Sequence, residues 1–144
     1  MNVIKAVIVE DSRLARNELK ELLKIHKNIE LIGEAENVDD ALTLITNLNP
    51  DLLFLDINMP EKNGFELLEL LDDVPTTIFT TAFDEYAIKS FEYNAFDYLL
   101  KPINQHRFSK SINKVIESFT KEKTTVSINT NTLNLEKQIF IKDG

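Results

Sequence analysis

The chain has 144 residues, 43% hydrophobic and 28% charged, a length and balance that suit one folded domain with a sizeable core and fall short of two. With no cysteine and only two histidines, His26 and His106, it is excluded from disulfide, thiolate-metal and thiol chemistry and from a His-based metal cluster. A net charge of −8 argues against this stretch alone gripping nucleic acid, whose phosphates need Lys and Arg, and no apolar run approaches the ~20 residues of a membrane span.

Met1 to Lys5 lacks the basic-then-apolar layout of a secretory signal, so a cytoplasmic protein is expected. Val3 to Val9 is β-branched and apolar and stops at Glu10-Asp11, which predicts a buried strand ending in two acids. Ser12 is a candidate N-cap, followed by Leu14, Ala15, Leu19, Leu22 and Leu23 at helical spacing. Ile29 to Ala35 reads as a second strand. Asp39 to Leu48 puts Ala41, Leu42, Ile45 and Leu48 on one helical face before Asn49-Pro50 breaks it. Leu52 to Leu55 is a continuous apolar run ending at Asp56, and Ile57 to Gly64 is a loop rich in turn formers. A short helix over Phe65 to Leu71, a strand over Thr76 to Thr80, a helix over Asp84 to Tyr93 and a strand over Phe96 to Leu100 follow. The last helix is predicted from Asn104 to about Lys121, with Phe108, Ile112, Val115, Ile116 and Phe119 inward. Beyond it, Thr124 to Asn134 is rich in Thr, Asn and Ser, and Val126/Ile128, Leu133/Leu135 and Ile139/Ile141 alternate with polar residues as short strand-like pieces.

Five continuous apolar strands alternating with five helices predict an α/β fold with a mostly parallel sheet covered on both faces. Such an open doubly wound sheet binds its ligand beyond the carboxyl ends of its strands. Those ends carry Glu10 and Asp11, Asp56, Thr80-Thr81-Ala82, and Lys101-Pro102. Singly, each has an ordinary reading. An acid after a strand is commonly a turn or cap residue, a threonine pair is ordinary strand sequence, a lysine is most often a solvated charge, and both histidines read as surface residues near helix ends. Together they are the groups one chemistry needs. Clustered carboxylates require a cation, oxygen-only ligands suit a hard ion such as Mg²⁺, and an aspartate can act as nucleophile and carry an acyl phosphate. A lysine and a hydroxyl would then meet the transferring group.

The motifs Val7-Ile-Val-Glu-Asp11, Leu55-Asp-Ile-Asn-Met-Pro60 with Gly64 behind it, Phe79-Thr-Thr-Ala82 and Tyr98-Leu-Leu-Lys-Pro102 resemble those of bacterial two-component response regulator receiver domains over about residues 3–121. The resemblance implies a flavodoxin-like (βα)5 fold with strand order 2-1-3-4-5. It implies that Glu10 and Asp11 bind Mg²⁺, directly or through water, that Asp56 is phosphoacceptor and metal ligand, and that Asn58 lends the metal its backbone carbonyl. It makes Thr81 the switch hydroxyl, Lys101 the phosphoryl-binding lysine and Tyr98 the aromatic that changes rotamer. It also makes the Lys101–Pro102 bond cis, which an X-Pro bond tolerates. Asn58 and Phe83, two residues after the acceptor and after Thr81, are the positions beside the site that vary phosphoryl lifetime in that family.

Ala82 to Pro102 further resembles the LytTR (LytR/AlgR) type, and Gln138 to Gly144 looks like the opening strand of its DNA-binding domain. The resemblance thus implies a receiver over residues 1–121, then a linker and the first strand or strands of a truncated effector over 122–144. The expected partners are a sensor histidine kinase and a second copy of the chain, joined through helix 4, strand 5 and helix 5, with DNA reached only through the missing effector. The chain would catalyse only its own phosphorylation and dephosphorylation. A phosphatase of the haloacid dehalogenase type would want an acid where Asn58 stands. A flavodoxin-like cofactor binder would want a phosphate loop where Glu10-Asp11 would repel one. A stand-alone receiver fits the tail poorly.

Overall fold

A computed structural model describes residues 3–132 of the chain, with side chains described for residues 3–121. The chain divides into two units between Ile112 and Asn113, and the first unit holds the whole sheet.

Strands β1 (Ile4–Val9), β2 (Ile29–Ala35), β3 (Leu52–Asp56), β4 (Thr76–Thr81) and β5 (Asp97–Leu100) pair in the order β2-β1-β3-β4-β5, every pair parallel. The doubly wound sheet is therefore the one expected, and strand order reverses between β1 and β3. Because side chains alternate along a strand, both faces must be covered. Val7, Val9, Leu53, Leu55 and Phe79 join one core with residues of α2 (Val38–Leu48) and α3 (Gly64–Leu70). On the opposite face Phe54 stacks on Phe108, ring centroids 5.6 Å apart. Phe108 lies in α5 (Gln105–Thr132), and α1 (Arg13–Leu23) buries Leu19 and Leu23.

Helix starts follow local chemistry. Ser12 accepts from the Ala15 N–H, and Asn37 accepts from the Asp40 N–H with Asp39 and Asp40 in the favourable first turn of α2. Asn63 and Glu66 form a reciprocal capping box on α3. The helix expected over Asp84 to Tyr93 divides into a 3-10 turn, Asp84–Tyr86, and α4, Ala87–Glu92. Neither start has a side-chain cap, and the backbone of Phe83, just before the turn, is held at its N–H by Thr81 of β4 and at its carbonyl by Tyr98 of β5. Asn94, at φ 60°, ends the segment in the left-handed region.

The other departure is α5, which continues to Thr132. Val126 and Ile128 therefore lie in helix and not in a strand-like piece. Two alternating apolar residues are a weak period-two signal, and no Gly or Pro stands between Pro102 and Gly144 to stop a helix. Leu133, Leu135, Ile139, Ile141 and the Gln138 to Gly144 segment lie outside the described residues.

Gly64 shows how tightly the loop after β3 is packed. Its N–H donates to the Ile57 carbonyl at 2.9 Å, and a Cβ there would fall 2.5 Å from the Asp56 carbonyl oxygen and 3.1 Å from Leu55 Cγ. Gly64→Ala must push backbone, so it is expected to destabilise the fold by about 1–3 kcal/mol, read as a lower urea midpoint with an unchanged slope.

Candidate functional site

Because all strands run parallel, their carboxyl ends share one rim, and the sequence-predicted acids meet there. One carboxylate oxygen from each of Glu10, Asp11 and Asp56 lies within 4.8 Å of the others. Glu10 and Asp56 are buried, at 1% and 3% exposure, while Asp11 is exposed. Lys101 reaches in from the end of β5, its ammonium 2.6 Å from Glu10 Oε1 and 3.3 Å from Asp56 Oδ1. The Lys101–Pro102 peptide bond is cis.

Burial and the nearby charge of Glu10 push the Asp56 carboxyl up from 3.8 to about 7, against the opposing pull of Lys101. Burial alone would lower the Lys101 ammonium, but its hydrogen bond to Glu10 and the charges of Asp56 and Glu10 outweigh this and raise it. If all three carboxylates were ionised, one ammonium would leave two negative charges uncompensated on the rim. This oxygen-only donor set, with that charge balance, fits a divalent hard cation such as Mg²⁺.

The Thr81 and Tyr98 side chains do not bond to the side chains of Asp56 or Lys101. The Thr81 hydroxyl, fully buried, accepts from the Phe83 N–H at 3.2 Å, and the Tyr98 hydroxyl donates to the Phe83 carbonyl. Both therefore act on one residue, Phe83, in the segment after β4. Thr81 is also tied to β5, since its carbonyl accepts from the Lys101 N–H at 2.7 Å. The Asn58 side chain is exposed and accepts from the Tyr86 hydroxyl at 3.2 Å.

Sequence reasoning missed three residues around the site. Arg16 donates to the Glu10 backbone carbonyl at 2.7 Å and to Glu34 at 3.1 Å, fixing the end of β1. Arg107 holds Asp97 with two hydrogen bonds, of 2.7 and 3.1 Å, and also reaches the Tyr98 carbonyl at 3.3 Å. Tyr86 is the third. The partners of Arg16 and Tyr86 lie on other elements, so no local spacing announces them. His26, read as a surface residue, is half-buried and bonds Ser109 across 3.0 Å.

The family model for the response regulator receiver domain matches residues 6–113. The chain is similar to a protein described as an uncharacterized response regulatory protein of Vibrio cholerae, 45% identical over 121 residues, covering 83% of this chain and 51% of that one. It is similar also to the transcriptional regulatory protein BtsR of Salmonella typhi, 46% identical over 122 residues with the same coverage of both chains. The chain thus spans about half the length of the curated relatives it matches. Among solved structures it resembles the response regulatory domain of protein mrkE from Klebsiella pneumoniae, at TM-score 0.76 and 34% identity, covering 82% of this chain and 99% of that one. The REC domain of AraT, a response regulator from Geobacillus stearothermophilus, gives TM-score 0.77 at 31% identity, covering 84% and 98%.

The raised carboxyl predicts a pH effect. A folded-state value above the unfolded one means that the native chain binds this proton more tightly, so the stabilisation it contributes is complete below about pH 4 and is lost as pH rises through about 7. In metal-free buffer Asp56→Asn should therefore exceed wild type in stability by about 1–4 kcal/mol at pH 8, with the difference closing near pH 4 in parallel urea titrations.

Proposed function

The chain belongs to the response regulator receiver domain family and is the receiver domain of a two-component response regulator; from that premise we propose that Asp56 takes a phosphoryl group from a sensor histidine kinase and so switches a transcriptional output. The observation that carries the proposal is the buried pair of carboxylates, Glu10 and Asp56, bridged by the Lys101 ammonium, with the Asp11 carboxylate beside them on the same rim.

The residues divide the work as follows. An Asp56 oxygen attacks phosphorus, the bond from phosphorus to the donor's imidazole nitrogen breaks, and its electron pair leaves with the imidazole. Glu10, Asp11, Asp56 and the Asn58 backbone carbonyl would hold Mg²⁺, which when bound supplies the positive charge that keeps the carboxylates ionised and offsets charge on the transferring group. Lys101 already sits 3.3 Å from Asp56 and needs only a short shift to donate to a phosphoryl oxygen. The Thr81 hydroxyl uses a lone pair on the Phe83 N–H, which leaves its own proton for a phosphoryl oxygen. No enzyme activity on an outside substrate is proposed. The position two residues after Asp56 is Asn58, whose amide cannot serve as the acid and base of a phosphatase.

The output would run through Phe83. Phosphate adds charge and acceptor oxygens at Asp56, Thr81 turns toward them, and the Phe83 backbone, held at its N–H by Thr81 and at its carbonyl by Tyr98, repositions with the phenol. The face fed by this change carries Ile88, Phe91 and Leu100 exposed on α4 and β5. A second copy of the chain covering that face would bring two effector domains to paired DNA half-sites. The LytTR assignment rests on the Ala82 to Pro102 segment, and the greater length of relatives named as transcriptional regulators supports a DNA-binding output in a longer protein. The proposal puts the chain in the cytoplasm; among the described residues no helix is long and apolar enough to cross a membrane.

Incubation with acetyl phosphate and Mg²⁺ should add one phosphoryl group by mass to wild type and none to Asp56→Asn; an unlabelled wild type overturns the proposal. Asp11→Ala should weaken Mg²⁺ binding by about tenfold or more while Thr81→Ala leaves it near wild type, and equal effects would undo the division of roles. Beryllofluoride should convert wild type to a dimer in light scattering and leave Phe91→Asp monomeric.

A further inference from the structure

The proposed phosphotransfer uses one of the two threonines that end β4. Thr81 is bonded to Phe83, while Thr80 has no part in it. Yet the Thr80 hydroxyl is one of two side-chain hydroxyls among the described residues that are buried without a hydrogen-bond partner. Such an orphan costs stability, and a fold that keeps one needs a reason. The other, Ser111, lies on α5 beside the Asp97 carboxylate. Thr80 lies beside Asp56.

We infer that the Thr80 hydroxyl is a donor held in reserve for the phosphorylated state: it bonds the Asp56 carboxyl oxygen that does not carry phosphorus, once Lys101 has turned to the phosphoryl group. The inference rests on Asp56 being the phosphoacceptor.

Asp56 and Thr80 are register partners on adjacent parallel strands, and both lie within their strands. Register partners turn their side chains to the same face of a sheet. Neighbouring contacts identify that face. Phe54, two residues before Asp56, stacks on Phe108 of α5. Ile78, two before Thr80, pairs in register with Asp97, which Arg107 of α5 holds by two hydrogen bonds. Leu55 and Phe79, the residues in between, belong to the core of the opposite face. Thr80 and Asp56 therefore stand side by side on the α5 face, 0% and 3% exposed.

Lys101 completes the arrangement. Its side chain leaves the end of β5 and reaches Asp56 on β3 and Glu10 on β1, so it crosses the end of β4, the strand next to β5. In the resting protein it donates to Asp56 Oδ1 at 3.3 Å, and the Thr80 proton is not needed there. Phosphotransfer changes the count. Because Lys101 occupies Oδ1, the other oxygen is the freer nucleophile, and Oδ1 becomes the carbonyl oxygen of the acyl phosphate. Lys101 then leaves it for a phosphoryl oxygen, which would strand a buried acceptor. The neighbouring hydroxyl can turn about χ1 to take that place, and the same move supplies its own missing partner. No bond forms or breaks at Thr80, and its proton stays on oxygen.

The full chain is titrated with beryllofluoride in Mg²⁺, and binding is read from the bound-fluorine NMR signal. Beryllium takes an Asp56 oxygen as phosphorus would, and no hydrolysis intervenes. Thr80→Val should lower the affinity about two- to tenfold, the equivalent of one hydrogen bond, and Thr80→Ser, which keeps the hydroxyl, should restore it. Without ligand, Thr80→Val should have a urea midpoint above wild type, because the hydroxyl it removes has no partner. The inference is overturned, with wild type still labelling from acetyl phosphate, by any of three results: wild-type affinity in Thr80→Val, no recovery in Thr80→Ser, or a Thr80→Val chain that is unfolded or less stable than wild type. A wild type that takes no phosphoryl group overturns the receiver reading, and the inference with it.

Discussion

The constraint on which the site depends is charge compensation in a buried place. A parallel sheet gathers the ends of its strands on one rim, and this sequence ends β1 and β3 in acids that are almost wholly out of water. Two carboxylates so close cannot both ionise without help, and Lys101 supplies one positive charge to the pair. The help is incomplete: burial and the charge of Glu10 still hold the Asp56 carboxyl up at about 7, and the proposed cation would supply the remaining counter-charge. The proposed affinity for metal, the proposed reactivity at Asp56 and the inward pose of Lys101 all trace to one imbalance.

Phe83 is where that imbalance can be felt at a distance. Its N–H is held by Thr81, at the end of the strand beside Asp56, and its carbonyl by Tyr98 on β5. The same residue packs edge-on against Tyr86, which holds Asn58. The segment after β4 is therefore bonded to both neighbouring parts of the site while its own helix is short and uncapped. A strand end fixed in the sheet and joined to a short, uncapped helix is the kind of junction on which the proposed switching would draw.

Much of this was legible in the sequence, for physical reasons that differ by residue. The strands announce themselves as continuous apolar runs, and because each run stops at a polar candidate, Glu10, Asp56, Thr81 and Lys101 stand out as one set from the sequence alone. Parallel topology then did the assembling. Arg16, Tyr86 and Arg107 were invisible, because an arginine six residues from Glu10 or a tyrosine twenty-eight from Asn58 acquires its partner only through tertiary placement. The division of the Asp84 to Tyr93 segment escaped for a related reason: its local pattern is helical throughout, while the tertiary hydrogen bonds fall on Phe83 just before it. The reach of α5 to Thr132 was misjudged because two apolar residues in alternation outweighed the absence of any helix breaker.

Asp56 also has an evolutionary consequence. Its burial beside Glu10 makes the ionised acceptor a source of instability, so at neutral pH the fold tolerates this side chain instead of resting on it. On the proposed function, phosphotransfer is what favours an acid there. In a lineage whose kinase disappeared, selection for a well-folded chain would favour neutral residues at position 56 with no selection against phosphorylation at all, and Glu10 and Lys101 would then be released from their shared constraint in turn.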